Sequence, residues 1–358
     1  MSFLYLTADR VGVETGGGIV TANELAALRT LGRTEVLSRD ELDGPGDEPW
    51  KWDANACRKL TTTLWKEPFT LCHGYAGTFG RTVDTLKVNG VKVCWTIAAH
   101  DRHVSRREHE ALGIPFAQLY PHLCEESLWQ RYIEGYRLAD VIICPSTVAK
   151  RTVQDYGPEF ATKRIEVVPH GCELPDKVAP LPKRFTVGYL GSCGAADKGV
   201  RYLMEAWKRL AWTDATLLLA GRDSTSPHVR AMLERFGGGN VRLLGWVKNV
   251  ADFYNNISLY VQPSMTEGFG IEALEALSYG RPVICSNAAG AWDVCADNGG
   301  AFVVTAGDVE DMAGTLDVCK TRTDLHERWS VAARESAQEF TWDKIRQRYV
   351  DVWKSMIA

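Results

Sequence analysis

Residues 267–275 read Glu-Gly-Phe-Gly-Ile-Glu-Ala-Leu-Glu, and a helical pattern begins inside them. Two carboxylates, Glu267 and Glu275, bracket the turn Gly268-Phe269-Gly270. The first turn of a helix leaves backbone N–H groups free, and the helix dipole favours negative charge there. Glycines at 268 and 270 let a ligand approach that backbone, so the turn suits a phosphate or sugar hydroxyls. Carboxylates accept hydrogen bonds from hydroxyls. A nucleotide-sugar presents hydroxyls at both ends of a diphosphate. From these residues alone, a helix-start acid followed by an ordinary surface glutamate is an equally open reading.

Other residue groups invite chemistry less directly. His100 is followed by Asp101 and His103, yet nothing else in the chain completes a metal-ligand set. The run RHVSRREHE (102–110) reads either as a solvated helix face or as a contact for an acceptor or a membrane surface. Trp246 beside Val247 is placed either to stack on a base or to fill a core.

These residues need a scaffold. Short apolar runs (FLYLTA, TEVLS, FTLCHG, VKVCWTI, DVIICPS, RIEVVPHG) alternate with helix-period segments through residue 173. In the first such helix Ile19, Leu25, Leu28 and Leu31 share a face. Prolines then crowd PDKVAPLPKR (175–184), a stiff linker. The rhythm restarts with FTVGYLGS, ATLLLAG, NVRLLGW, SLYVQPS and RPVICSN. This predicts two α/β, doubly wound, Rossmann-like domains with parallel sheets. Sites in such sheets form at the carboxyl ends of the strands, which predicts a ligand cleft between the domains. The signature helix should bury Ile271, Leu274 and Leu277, and the last segment should share a face of Ile345, Tyr349, Val352, Trp353 and Met356.

Bulk properties narrow the function classes. The 358 residues are 45% hydrophobic and 24% charged, with a net charge of −4, so the chain has no basic footprint for nucleic acid. Ten cysteines show no CxxC spacing and mostly end apolar runs, which predicts buried thiols and a cytoplasmic setting. MSFLYLTADR lacks the pattern of a signal peptide, and no apolar run approaches the roughly 20 residues of a membrane span.

The stretch EGFGIEALEALSYGRPV (267–283) resembles the signature of the family-4 retaining glycosyltransferases of the GT-B fold. The likeness extends in order through ETGGGIVTANELAALRTLG (14–32), TIAAHD (96–101), ADVIICPS (139–146), IEVVPHGCE (165–173), KGVRYLMEAW (198–207) and NVRLLGWV (240–247). The resemblance implies a GT-B architecture: residues 1–180 for the acceptor, 181–340 for the donor, and a helix at 341–358 crossing back. It implies that Glu267 holds donor-sugar hydroxyls and that Gly268, Phe269 and Gly270 offer backbone contacts to sugar and phosphate. Glu275 would bind the ribose, Lys198 would neutralise the diphosphate, His100 would lie near the anomeric centre and Val247 near the base. Gly17 and Gly18 would let the N-terminal loop approach phosphate or acceptor.

Ser192 departs from the pattern, because it stands where the family usually has a second cation, an arginine. Arg222, ending the next strand, is the expected substitute. Asp293 stands where glutamate is frequent, a conservative change. No DxD motif follows a strand, so neither a metal nor another cofactor is expected. The implied reaction is transfer of a sugar from a UDP- or GDP-sugar to an acceptor hydroxyl, carbohydrate or lipid-linked, with retention. The rival readings are a nucleotide-sugar 2-epimerase and a non-catalytic nucleotide-sugar-binding subunit. Acceptor contacts are expected in 40–66 and 101–130.

Overall fold

The computed structural model describes residues 1–12, 15–40, 49–64, 66, 68–75, 79–97, 99, 101–116, 121–295 and 299–358. The chain divides into two compact units: Met1–Ala99, Pro115–His170 and Trp342–Ala358 form one, and His100–Ile114 with Gly171–Thr341 form the other.

In the first unit, strands β1 (Ser2–Thr7), β2 (Arg33–Leu37), β3 (Leu71–Tyr75), β4 (Lys92–Thr96), β5 (Val141–Cys144) and β6 (Ile165–Val167) make one sheet in the order β2-β1-β3-β4-β5-β6. Every neighbouring pair is parallel. Parallel neighbours need crossovers, and helices supply them. The helix Gly16–Arg29 starts at Thr15, whose hydroxyl accepts from the Gly18 N–H at 3.1 Å. It buries Val20, Leu25, Ala27 and Leu28, while the expected Ile19 and Leu31 are half-buried. Leu31 lies past the helix end, and the helix also buries a carboxylate, Glu24. Its Oε2 accepts from the Tyr5 hydroxyl at 2.6 Å and lies 3.3 Å from His73 Nε2. The last helix, Trp342–Ile357, packs against Gly16–Arg29. Trp353 Nε1 donates to His73 Nδ1 at 3.2 Å, which leaves the ring proton on Nε2, toward Glu24. Ile345, Tyr349 and Trp353 are buried as expected from their spacing, with Val352 and Met356 half-buried at the edge.

In the second unit, β7 (Thr186–Leu190), β8 (Thr216–Ala220), β9 (Val241–Gly245), β10 (Leu259–Gln262), β11 (Val283–Ser286) and β12 (Ala301–Val304) form a parallel sheet in the order β12-β11-β10-β7-β8-β9. Val187, Leu217, Leu219, Val261 and Ile284 face a core shared with Leu203, Met204 and Trp207. The proline-rich segment is tied to this unit. Ala179 donates its N–H to Asn255 Oδ1 at 3.0 Å, and its carbonyl accepts from the buried Arg281 at 2.6 Å. Pro175 accepts from Arg334 at 2.8 Å, and Cys172 bridges to Thr341. These ties place the division at residue 170/171, ahead of the prolines. The helix Arg102–Ala111 also groups with the second unit. No described helix is long and apolar enough to cross a membrane.

Candidate functional site

The loops leaving β7, β8, β9 and β10 carry most of the candidate residues. After β7, a short 3-10 turn Ala196–Lys198 ends at Gly199, with φ +69°. A Cβ at 199 would run into the carbonyl oxygen of Pro263, so glycine is required for the lysine turn to lie against the end of β10. Met265 N–H then donates to the Asp197 carbonyl at 2.8 Å, joining the two loops. The result is an ion pair between Lys198 Nζ and Glu267 Oε2. The two side chains are 21% and 16% exposed, so the pair is mostly buried and still reachable from solvent. Burial alone would lower the Lys198 pKa, but Glu267, with Asp197 and Glu272, more than offsets it and holds the ammonium above its ordinary range.

The turn that follows is fixed by β11's loop. Glu267 N–H donates to Ala288 O at 3.2 Å, Gly290 N–H to Glu267 O at 3.0 Å, and Ala291 N–H to Phe269 O at 2.6 Å. The Phe269 side chain is buried in the core, so a ligand meets only the backbone at this position. Gly270, at φ +89°, caps the helix Ile271–Ser278 without bringing a side chain to its first amides. Ile271, Leu274 and Leu277 are buried, matching the expected face. Glu275 Oε2 accepts from Tyr254 OH at 2.8 Å, and Tyr254 stacks on Tyr279 at 5.2 Å. Burial raises the Glu275 pKa, and the tyrosine bond partly restores it.

The remaining sequence candidates are distributed as follows. Ser192 is exposed, and its carbonyl accepts from Tyr189 OH at 3.3 Å. The next two amides, Cys193 and Gly194, are both taken by the Asp223 carboxylate at 2.9 Å. Arg222 lies with its guanidinium 5.2 Å from the centre of the Trp246 ring, beside half-buried Val247. Gly17 and Gly18 sit in the first turn of Gly16–Arg29 and belong to the first unit. His100 lies outside the described residues, as do parts of the expected acceptor segments.

Three residues escaped the sequence reading. Ser105 donates to Asp197 Oδ2 at 3.0 Å, and both side chains are buried. The Thr266 hydroxyl accepts from the Asp101 N–H at 3.1 Å. Glu272, in the helix's first turn, has its pKa pushed up to about 7, first by burial and then by Glu267 and Glu275. The Glu272 position inside the signature was a visible signal, whereas the other two depend on contacts remote in sequence.

Two parallel six-stranded sheets with covering helices are the GT-B fold. Along nearly their whole length they superpose on solved structures of it. Sucrose-phosphate synthase from Thermosynechococcus elongatus is similar with a TM-score of 0.78 and 17% identity, covering 99% of each chain. Alr3699/HepE from Anabaena, solved in complex with UDP-glucose, has a TM-score of 0.67 and 17% identity over 99% of this chain and all of that one. Residues 184–319, which hold Lys198, Arg222, Val247, Glu267 and Glu275, match the family described as glycosyl transferases group 1. Among curated proteins, the chain is 27% identical over 178 residues to the capsular polysaccharide biosynthesis glycosyltransferase CapM of Staphylococcus aureus, covering 47% of each. The match thus spans about half of that relative's length.

Proposed function

We propose that the chain is a retaining, metal-independent glycosyltransferase that moves a sugar from a UDP- or GDP-sugar to an acceptor hydroxyl. The observation that carries this is the Lys198–Glu267 pair set beside the glycine-capped start of Ile271–Ser278. A diphosphate takes the lysine and the helix-start amides, which are preorganised for negative charge. Glu267 then accepts hydroxyls of the donor sugar, and Glu275 those of the ribose. As the bond from the anomeric carbon to the phosphate oxygen breaks, the acceptor oxygen bonds to that carbon. The acceptor's proton passes to the departing phosphate, so no protein base is required. Arg222 adds the charge that Ser192 does not bring. The UDP-glucose bound by HepE supports a nucleotide-sugar as the donor class. Ten cysteines, nine of them buried, support a reducing, cytoplasmic setting.

The test is transfer from UDP- and GDP-sugars with a chelator present. Glu267→Ala should lose most turnover, by about a hundredfold or more, on the scale of a lost transition-state contact. Glu275→Ala should chiefly raise the donor KM. Equal turnover by both variants and wild type at saturating donor would defeat the reading. Donor binding with no transfer or hydrolysis would return the chain to a non-catalytic binding role.

A further inference from the structure

The helix Arg102–Ala111 carries a polar stripe that ends on the two loops of the Lys198–Glu267 pair, and all of these residues belong to the second unit. The stripe consists of Asp101, Ser105 and Glu108, four and three residues apart and therefore on one helix face. The Asp101 carboxylate caps the helix, accepting from the His103 and Val104 N–H groups at 2.9 and 3.1 Å, and its own N–H donates to the Thr266 hydroxyl at 3.1 Å. The Ser105 hydroxyl donates to Asp197 Oδ2 at 3.0 Å. Glu108 accepts from Arg201 at 3.0 Å and from Tyr202 OH at 2.8 Å. Thr266 immediately precedes Glu267, Asp197 immediately precedes Lys198, and Arg201 and Tyr202 follow the lysine by three and four residues. Each member of the ion pair is thus flanked by a residue held on the same helix.

The middle tie bears most directly on the lysine. Ser105 and Asp197 are both buried, and the other carboxylate oxygen of Asp197, Oδ1, has no partner among the described residues. Asp197 also shares the 3-10 turn Ala196–Lys198 with the lysine, within electrostatic reach of its ammonium. A buried carboxylate stripped of its donor is costly, and Lys198 is the cation beside it in the turn. A lysine ammonium rides on a flexible four-carbon stem and follows its strongest partner. Without the serine bond, Asp197 competes with Glu267, and with an incoming phosphate, for that ammonium.

We propose that Ser105 is a positioning residue of the donor site: its hydroxyl engages Asp197, so that the Lys198 ammonium is left to Glu267 and to a donor diphosphate. The role rests on the donor-site reading above and adds to it a residue from outside the donor loops.

Calorimetric titration of the full chain with UDP and with GDP tests this, on wild type, Ser105→Ala, Asp197→Asn and the double variant, at a temperature where circular dichroism shows each folded. Loss of stability alone leaves the affinity of the folded protein unchanged. Ser105→Ala should weaken the nucleotide that binds by at least about fivefold, the size of one hydrogen bond. With Asp197→Asn present, position 197 carries no charge to compete for the lysine, and the same serine change should cost less than about twofold. Ser105→Cys keeps the volume with a weaker donor and replaces Ser105→Ala in the cycle if the latter does not fold. Equal losses in both backgrounds, or no loss in either, overturn the role of Ser105 and leave the donor site standing. Failure of wild type to bind either nucleotide overturns the donor site, and the role of Ser105 with it.

Discussion

At Lys198 opposing forces leave a defined charge. Burial disfavours the ammonium, and the carboxylates of Glu267, Asp197 and Glu272 restore it. The result is a single point charge, without the two-pronged geometry that a guanidinium would bring to a phosphate. Ser192 contributes none, and the Asp223 carboxylate already fills the amides beside it. Arg222, over the half-exposed Trp246, is the cation at the end of the adjacent strand. On the donor reading, Arg222→Ala should raise the donor KM by about ten- to a hundredfold, the size of a hydrogen bond to a charged group, without moving the melting temperature. Unchanged donor affinity and turnover in that variant would remove Arg222 from the scheme. Glu267, Glu275 and the glycines between them were legible because their spacing follows from one helix and its cap. Asp223 was not, because its role depends on a loop thirty residues upstream that shows no charge of its own.

At the scale of elements, the helix Arg102–Ala111 shows where pattern reading fails. Its sequence is almost wholly polar, which reads as a solvated face. In the structure Ser105, Glu108 and His109 are buried. Glu108 accepts from Arg201 at 3.0 Å and from Tyr202 OH at 2.8 Å, and Ser105 reaches Asp197, the residue before Lys198. The burial is polar and its partners lie about ninety residues on, so no apolar periodicity announces it. The Oδ1 of Asp197 has no partner among the described residues, so the Ser105 bond is what satisfies this buried carboxylate. Ser105→Ala should therefore cost about 1–3 kcal/mol, read as a lower urea midpoint at unchanged slope. Ser105→Thr should recover part of the loss. An unshifted midpoint in the alanine variant would mean that solvent replaces the bond at no cost. Eleven of the twelve described strands, by contrast, were legible, because parallel strands buried on both faces are continuous apolar runs, although the runs overshoot the strand ends; the edge strand β12 was not read.

Across the whole molecule, the chain contributes His100–Ile114 to the second unit, enters it again at 171 and returns to the first at 342. The apolar face of the last helix was readable from its spacing, and its return to the first unit only as what the family resemblance implied. What it closes over was not readable. Trp353 and Tyr349 cover His73, which stands against Glu24, Tyr5 and Thr96 in an otherwise apolar core. A histidine in a strand and a glutamate in a helix each look unremarkable alone, and only the parallel register of β1, β3 and β4 brings them together. The C-terminal helix thus supplies the N–H that fixes the His73 tautomer, and His73 in turn keeps a proton directed at the buried carboxylate. Two variants separate packing from hydrogen bonding here. Trp353→Ala should destabilise the first unit by about 3–5 kcal/mol, the loss of a fully buried aromatic. Trp353→Phe keeps most of that packing and should cost about 1–3 kcal/mol, chiefly the buried Nδ1 left without a donor. The measurement is chemical denaturation of the full chain. Because two compact units need not unfold together, the expected signature is a shift confined to one transition. Equal losses in the alanine and phenylalanine variants would assign the whole effect to the hydrogen bond. A loss in the alanine variant alone would make the His73 contact one of packing only.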